Sequence, residues 1–472
     1  MIEELGIASG LLRVTLDRYL RVCSAIQKSY VTRSTDNIVS QDFTERIQDE
    51  VHSLLDYESK LQEAKSAITW TRNSAALAPA SILPPEILTR IFRFVLSGEQ
   101  CSSGDGDGVI RYSKHPEWLS HVCSRWRQTT LGLRDLWTHI DLSPNPLSNH
   151  RILPRARAYA ERSKPLPLYI HTDDSVDWRG YGSLSMKLGP SSDLTDSVIE
   201  LIASLAPRTR ALDLGINYGH IEFHRAALES CLKGCVPGVF SRLAVYRASG
   251  YGDCCKTITT SDGTLAQHYH GNVDRPVLLG ISEQHLEAIL FRCTTLCFDG
   301  LFAPWASKAY HGLTELRLTR CRKPQDGSIL ESVFVGMLKA SPQLRVLLFD
   351  LLVGAPLPNT TSVELIPLTN LEALAVRIAD EISIGRFFRW IAPGPKSLDS
   401  LDVLLEWYHG AGGGGFSAFT QDQLRAFFAR SNVAEFLIAG PYESYVDDLS
   451  KLTSNISELT PGDNDPYWDE LL

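Results

Sequence analysis

The sequence predicts a multidomain α+β protein in which an N-terminal helix and a small helical bundle precede an α/β solenoid built from repeats. Two apolar stripes of helical period, one before residue 72 and one after a proline pair at 84–85, predict the helical parts. A six-residue apolar pattern that recurs in the C-terminal half predicts the solenoid. The expected segments are 1–72 (helical), 73–81 (linker), 82–142 (helical bundle with an inserted loop at 97–113), 143–463 (solenoid) and 464–472 (acidic tail).

Length and charge narrow the class of function. The 472 residues exceed one ordinary hydrophobic core, so several units are expected. A net charge of −9 provides no long-range attraction to nucleic acid or to anionic lipid, so neither is expected as a partner. The acidic start Glu3-Glu4 and the lack of an apolar run near the ~20 residues that span a bilayer predict a soluble protein of the cytoplasm, the nucleus or both.

The segment from Phe43 to Trp70 is predicted to form one long amphipathic helix. Its apolar residues Ile47, Leu54, Leu61 and Ile68 are each seven apart, whereas the complementary heptad positions 58 and 65 hold a glutamate and a lysine. Packing against the same chain is therefore favoured over a coiled-coil dimer, which stays the alternative.

A helix is predicted to begin at the proline pair, because proline loses little at the first helical position and Glu86 complements the helix dipole. Its apolar residues fall on one stripe, and those of a second helix near residue 122 do the same. The alternation of Leu136, Thr138, Ile140 and Leu142 then predicts a strand.

The run Leu83-Pro84-Pro85-Glu86-Ile87-Leu88, then Ile91-Phe92, then Leu119 to Arg127, then Leu136-Trp137, resembles an F-box. The resemblance implies a bundle of about three helices that binds a Skp-family adaptor, which in turn binds a cullin scaffold. The loop at 97–113 is longer than the family's usual connection. The residues that would face the adaptor or support that surface are Leu83, Pro84, Ile87, Leu88, Ile91, Phe92, Val122, Cys123 and Trp126. An internal helical core without a partner is the alternative.

The C-terminal pattern is apolar at its first, fourth and sixth places. It occurs as Leu313-Leu316-Leu318, Leu344-Leu347-Phe349, Leu371-Leu374-Val376 and Leu398-Leu401-Val403, so its starts are 31, 27 and 27 residues apart. That spacing is close to the period of a leucine-rich repeat, with one short strand per repeat and a return segment that is often helical. Weaker copies begin near residues 212, 240, 293 and 433, and the repeats are degenerate.

Residues between the inward leucines are predicted to face the concave side of the solenoid. A mixture of charges there suits a protein substrate better than a polyanion, and a merely solvated face is the alternative. The predicted substrate-binding residues are Glu315, Arg317, Thr319, Leu348, Asp350, Arg377, Asp402 and Glu406.

The chain contains no Gly-x-Ser-x-Gly elbow, no Gly-x-x-x-x-Gly-Lys-Ser/Thr loop and no His-Glu-x-x-His helix, so no enzyme activity, cofactor or metal is expected. The cysteines are predicted to be buried small hydrophobes; zinc binding by Cys231, Cys235, Cys254 and Cys255 with His268 and His270 is the weaker alternative. The basic residues from Arg151 to Lys164 are predicted to lie on the solvated face of a helix.

The sequence as a whole predicts an adaptor that binds a Skp-family protein and recruits a protein substrate to a cullin-type ubiquitin ligase. The rival hypothesis is a leucine-rich-repeat scaffold, or a receptor that binds the adaptor without the ligase. A third hypothesis is an unrecognised enzyme in the segment from Pro165 to Asp262.

Overall fold

The structure is a computed structural model, which describes residues 1–32, 41–74, 83–97, 115–144, 146–174, 192–216, 220–247, 256–262, 276–319, 328–354, 357, 364–378, 381–394, 398–405, 416–439 and 459–461. The chain divides into two compact units, Met1–Leu83 and Pro84–Leu472. Among the described residues twelve α-helices and a large parallel sheet give a mixed α/β structure, compatible with the predicted α+β class.

The first unit is a pair of long helices, α1 (Ile2–Thr32) and α2 (Gln41–Ser74). The Tyr19 hydroxyl, in the second half of α1, donates a 2.6 Å hydrogen bond to Glu50, in the first half of α2. Ile26 and Phe43 line a shallow groove closer to the connection, so the two helices run antiparallel. The long helix predicted from Phe43 to Trp70 is present in α2.

The second unit begins with the small helical bundle, α3 (Pro85–Ser97), α4 (His115–Val122) and α5 (Ser124–Gly132), followed by a 3₁₀ turn (Arg134–Trp137). Helix α3 begins where predicted, and the Pro84 carbonyl accepts hydrogen bonds from the amides of Ile87 and Leu88. The Trp126 amide donates to Cys123 Sγ, which caps α5 and separates it from α4. Most of the predicted loop at 97–113 lies outside the described residues.

Among the described residues of this unit, eleven strands form one parallel sheet whose spatial order is the chain order. Because neighbouring strands are parallel, the chain must cross back behind the sheet between them. The strands are β1 (His139–Leu142), β2 (Leu168–Asp173), β3 (Thr209–Ile216), β4 (Arg242–Arg247), β5 (Thr295–Asp299), β6 (Glu315–Thr319), β7 (Val346–Asp350), β8 (Ala373–Ile378), β9 (Leu398–Leu405), β10 (Val433–Ala439) and β11 (Leu459–Pro461).

The register of this sheet aligns the apolar positions of the sequence pattern. Leu316 lies beside Leu347, and Leu374 lies beside Leu401, so the fourth places form one row. Phe349 aligns with Leu318 and with Val376 in the same way for the sixth places. The side chains of both rows are buried, so each strand contributes to one continuous core.

Seven helices follow strands of the sheet: α6 (Pro146–Arg162), α7 (Ser192–Leu205), α8 (Ile221–Gly234), α9 (Glu283–Leu290), α10 (Glu331–Ala340), α11 (Glu381–Phe388) and α12 (Ala418–Arg430). Helices α10 and α12 are two of the helical return segments that the repeat pattern predicts between strands. Phe334 of α10 and Phe387 of α11 pack on Phe349 of β7, with ring centroids 4.9 and 5.0 Å apart. No described helix is both long enough and apolar enough to cross a membrane.

The boundary predicted at residue 142 differs from the structure. Strand β1 pairs with β2 and so belongs to the sheet, and Leu136 lies in the 3₁₀ turn instead of a strand. The physical reason is Trp137, whose buried indole donates a 3.0 Å hydrogen bond to the Thr130 carbonyl. Its ring also packs edge-on against Tyr159 of α6, at 4.8 Å between centroids. Trp137 thereby joins the bundle to the first helix of the sheet.

Candidate functional site

Helix α3 has a buried apolar side and an exposed apolar side. Leu88 and Phe92 are completely buried, and the Phe92 ring lies 4.9 Å from the Trp126 ring of α5. Ile87 and Ile91, in contrast, are each 39% exposed, and Phe94 is 79% exposed. The bundle therefore completes its own core with one side of α3, while Ile87, Ile91 and Phe94 on the other side are exposed.

Helix α4 of the same bundle also exposes large apolar side chains. Trp118 is 58% exposed and Val122 is 53% exposed. Large exposed apolar surfaces on a soluble protein typically mark interaction sites. We give the name apolar ledge to seven exposed apolar residues on α3, directly before α3 and on α4: Pro84, Ile87, Ile91, Phe94, Val95, Trp118 and Val122.

The predicted adaptor-binding residues separate into three groups. Pro84, Ile87, Ile91 and Val122 are exposed, whereas Leu83, Cys123 and Trp126 are half-buried. Leu88 and Phe92 are buried in the bundle, so of the two roles predicted for them, facing the adaptor or supporting that surface, only support is open to them without rearrangement.

Sequence reasoning missed Phe94 and Trp118, the two aromatic members of the ledge. Neither residue belongs to the motif that carries the resemblance. Phe94 lies seven positions after Ile87, so helical spacing alone placed it on the same side of α3.

A second candidate surface lies on the face of the sheet opposite the leucine rows, at the end formed by the first strands. Asp141, His171 and Asp213 lie side by side on β1, β2 and β3. Arg242 of β4 and the pair Glu315 and Arg317 of β6 continue this row of charge. We call these six residues the polar cluster.

Five members of the polar cluster, all except Asp141, lie at ion-pair distance from one another in the described part of the sheet. His171 Nδ1 lies 3.4 Å from one oxygen of Asp213, and Arg242 Nε lies 3.2 Å from the other. Arg317 Nε lies 2.7 Å from Glu315 Oε1, and a guanidinium nitrogen of Arg242 lies 3.9 Å from Glu315 Oε2. Charges of both signs alternate across five strands, so the cluster offers donors and acceptors without a strong net field.

The pKa values of the two aspartates of the cluster are shifted in opposite directions, although both side chains are buried. Burial alone would raise the pKa of Asp213, but the hydrogen bonds and positive charge of His171 and Arg242 outweigh it and hold the pKa below its ordinary value. Burial raises the pKa of Asp141, even though His171 and Arg155 act against the shift. Asp213 is therefore a stable carboxylate, whereas Asp141 takes up a proton more readily.

The predicted substrate-binding residues only partly share this location. Glu315 and Arg317 keep about a fifth of their side chains exposed within the polar cluster. Thr319, Leu348, Asp350 and Asp402 are buried, because side chains on strands ~4.8 Å apart cover one another. Arg377 is half-buried, and Glu406 lies outside the described residues. These four residues therefore offer little surface to a substrate, and their substrate-binding role stays a prediction.

The rest of the polar cluster was missed because it lies on the strands where the sequence pattern is weakest. A signal was nevertheless present. Asp213 separates Leu212 from Leu214, and Arg242 directly precedes Leu243, which is the same placement relative to inward leucines that identified Glu315 and Arg317.

Four cysteines, Cys231, Cys235, Cys293 and Cys297, are buried in the second unit with free thiols. Burial raises the pKa of each thiol, to about 12 for Cys235, Cys293 and Cys297. In the part of the chain that the structure describes, no three histidine, cysteine, aspartate or glutamate side chains are grouped as a metal ion requires. Cys254, Cys255, His268 and His270 lie outside that part.

Comparison with known proteins does not identify the chain. No protein-family model matches it, and a search of curated proteins finds no significant relative. A functional assignment must therefore come from the chemistry of the apolar ledge and the polar cluster.

Proposed function

We propose that this protein is a non-enzymatic F-box adaptor, which binds a Skp-family protein and recruits a protein substrate to a cullin-type ubiquitin ligase. The observation that carries the proposal is the divided helix α3. Leu88 and Phe92 complete the bundle's own core, while Ile87, Ile91 and Phe94 stay exposed on the adjacent side. The bundle helices α3, α4 and α5 carry most of the residues that resemble an F-box.

The energetics of the ledge support a helical protein partner. Fully burying one exposed valine, leucine, isoleucine or phenylalanine contributes roughly 1.5–3 kcal/mol, so covering several ledge residues can offset the cost of association. Helices of a partner suit the ledge because the apolar residues of α3 recur at positions 87, 91, 94 and 95, the spacing used when helices pack in a groove.

For the sheet, the proposal is a degenerate leucine-rich-repeat solenoid with the polar cluster as part of its substrate surface. The aligned rows of Leu316, Leu347, Leu374 and Leu401 and the helices between strands support this interpretation. The paired charges of the cluster favour a protein substrate that presents both hydrogen-bond donors and acceptors.

The reaction itself would take place on other proteins. An adaptor holds a substrate lysine near a ubiquitin-charged enzyme and so raises the effective concentration of the two reactants. The roles assigned to this chain are binding roles only: the ledge holds the adaptor, and the outer face of the sheet holds the substrate.

Affinity capture of the tagged full chain from cells tests the proposal. The test variant is Ile87→Glu with Ile91→Glu, which places charges on the ledge without touching the buried Leu88 or Phe92. The control is Gln128→Glu, at an exposed position of α5. We expect the wild type and the control to capture both a Skp-family adaptor and a cullin, and the variant to capture neither.

The outcomes separate the hypotheses. Capture of the adaptor without a cullin would support the rival, a repeat protein that acts outside the ligase. Capture of neither protein by the wild type, or full capture by the ledge variant, would overturn the proposal.

A further inference from the structure

The helix pair of the first unit has no core of its own. None of the side chains described between residues 1 and 29 or between 42 and 72 is buried. Seventeen large apolar side chains of α1 and α2 are instead exposed, among them Leu12 and Leu16 on α1 and Leu54 and Leu61 on α2. Helices in proteins gain most of their stability from a packed apolar face. These two helices, of 31 and 34 residues, therefore require a further surface that packs against their apolar residues.

The apolar residues on both helices recur at the spacing of helical bundles. On α2, Ile47, Leu54, Leu61 and Ile68 are seven apart, and all are exposed. On α1, Leu5 and Leu12 begin a similar series that continues through Tyr19 to Ile26. Seven-residue spacing on neighbouring helices is the pattern that packs side chains between further helices in a bundle.

The distribution of charge along α1 and α2 indicates which partner helices would be complementary to them. In α1, residues 2–12 contain two acidic and no basic residues, whereas residues 13–28 contain four basic residues and one acidic. In α2, residues 42–58 contain six acidic residues and one basic, whereas residues 60–72 contain three basic and one acidic. Each helix is therefore negative in its first part and positive in its second.

This polarity makes the helix pair complementary to itself. Any two of these helices that run antiparallel bring a negative part beside a positive part, whether they belong to one chain or to two. In a four-helix bundle made of two such pairs, all four neighbouring contacts can be antiparallel. The charges that favour the α1–α2 pair within one chain therefore also favour its pairing with a second copy.

The available area is sufficient for a stable dimer. A 31-residue helix is ~46 Å long and ~10 Å wide, so two side by side present a face of roughly 900 Å². A standard stable interface buries about 800 Å² per partner.

We propose that α1 and α2 associate with the same helices of a second copy of this chain, forming a four-helix bundle that makes the protein a homodimer. The occupant of the apolar face is the identical helix pair. This inference does not depend on the proposed ligase function, because no residue of the apolar ledge takes part.

Sedimentation equilibrium of the full chain at tens of micromolar tests the inference. We expect a mass twice the 52.4 kDa of one chain. The variant Leu61→Glu should raise the dimer dissociation constant at least about a hundredfold, because two-fold symmetry places the buried carboxylate in the bundle twice. The matched control, Ala67→Glu, adds the same charge at an exposed position about 120° around α2 and should remain dimeric.

Circular dichroism and thermal unfolding keep the test decisive. The Leu61→Glu variant should retain the unfolding transition of the second unit, so a change of mass cannot be attributed to global misfolding. A wild-type chain that stays monomeric overturns the inference, and so does one that reaches higher mass only when anionic lipid vesicles or another protein are added. Equal dissociation constants for Leu61→Glu and Ala67→Glu would also contradict it.

Discussion

Arg155 and Glu117 form an ion pair of 2.8 Å that joins helix α6 to helix α4. The same guanidinium lies 3.6 Å from Asp141 on β1, and the Arg155 side chain is only 17% exposed. Arg155 was predicted to lie on a solvated helix face, and the structure corrects this. One cation connects the bundle that carries the apolar ledge to the first residue of the polar cluster, and so fixes the orientation of one surface relative to the other.

Replacing Arg155 by methionine should lower the free energy of unfolding by about 2–4 kcal/mol, because Asp141 and Glu117 would lose their shared cation in a partly buried site. The measurement is chemical denaturation of the full chain followed by tryptophan fluorescence. Arg157→Met, at an exposed position of the same helix, is the control and should change stability by less than about 0.5 kcal/mol. Equal effects of the two substitutions would refute a joining role for Arg155.

Asp213→Asn should produce a loss of stability that depends on pH. The folded-state pKa of Asp213 lies below the ordinary value of about 3.9, so its contribution is present above that pH and disappears as the pH falls through the folded pKa. We expect the free energy of unfolding of the wild type to exceed that of the variant by about 2–4 kcal/mol at neutral pH. The difference, measured by denaturation across a pH series, should shrink at acidic pH; a constant difference would contradict the pairing with His171 and Arg242.

Asp141→Asn should show the opposite slope. Burial raises the pKa of Asp141, so its favourable contribution is present below about pH 3.9 and is lost as the pH rises through the folded pKa. The stability of the variant relative to the wild type should therefore increase with pH over that interval. The same pH series measures it, and a slope of the same sign as that of Asp213→Asn would show that burial does not dominate at Asp141.

The buried thiols should resist alkylation in the folded protein. The thiolate is the reactive form, and burial both covers Cys297 and raises its pKa to about 12. Iodoacetamide at pH 8 followed by peptide mass spectrometry should modify the exposed Cys23 quickly and leave Cys231, Cys235, Cys293 and Cys297 unmodified until denaturant is added. Rapid modification of Cys297 without denaturant would show that the sheet is not packed as described.

Replacing Gly394 and Gly336 by alanine should change the stability of the protein in opposite directions. At Gly394 a Cβ atom would lie 2.6 Å from the Thr369 carbonyl oxygen and 2.8 Å from its Cα, so Gly394→Ala should destabilise by about 1–3 kcal/mol. At Gly336, inside α10, a Cβ atom meets nothing within 4 Å, and Gly336→Ala should stabilise by about 0.5–1 kcal/mol. Thermal unfolding of both variants measures whether each substitution raises or lowers the stability.

The strands of the C-terminal half could be predicted from the sequence because their physical cause is visible in it. Inward leucines such as Leu347 and Leu374 must meet in one buried row, so their spacing repeats along the chain. The first strands were harder, since Thr172 occupies an inward position on β2 and breaks the apolar pattern there. Helix α1 lies within the segment 1–72 that is predicted to be helical, whereas the predicted amphipathic helix covers only Phe43 to Trp70.

The candidate surfaces were predictable to a lesser degree, because periodicity shows which side of an element is apolar and not which apolar side is covered. Ile91 and Phe92 are adjacent and equally apolar in sequence, yet one is exposed and the other buried. The polar cluster depends on ion pairs between β3, β4 and β6, whose members are about 30 to 100 residues apart in the sequence. Only the sheet brings those side chains together.

Titration calorimetry of the purified chain with a purified Skp-family adaptor tests the central claim most directly. We predict saturable binding with a negative heat-capacity change, as burial of the apolar ledge requires, and at least about a hundredfold weaker binding for Ile87→Glu with Ile91→Glu. The Gln128→Glu control should bind like the wild type. Absence of binding by a folded wild-type chain, or undiminished binding by the ledge variant, would contradict the claim that the ledge is an adaptor-binding surface.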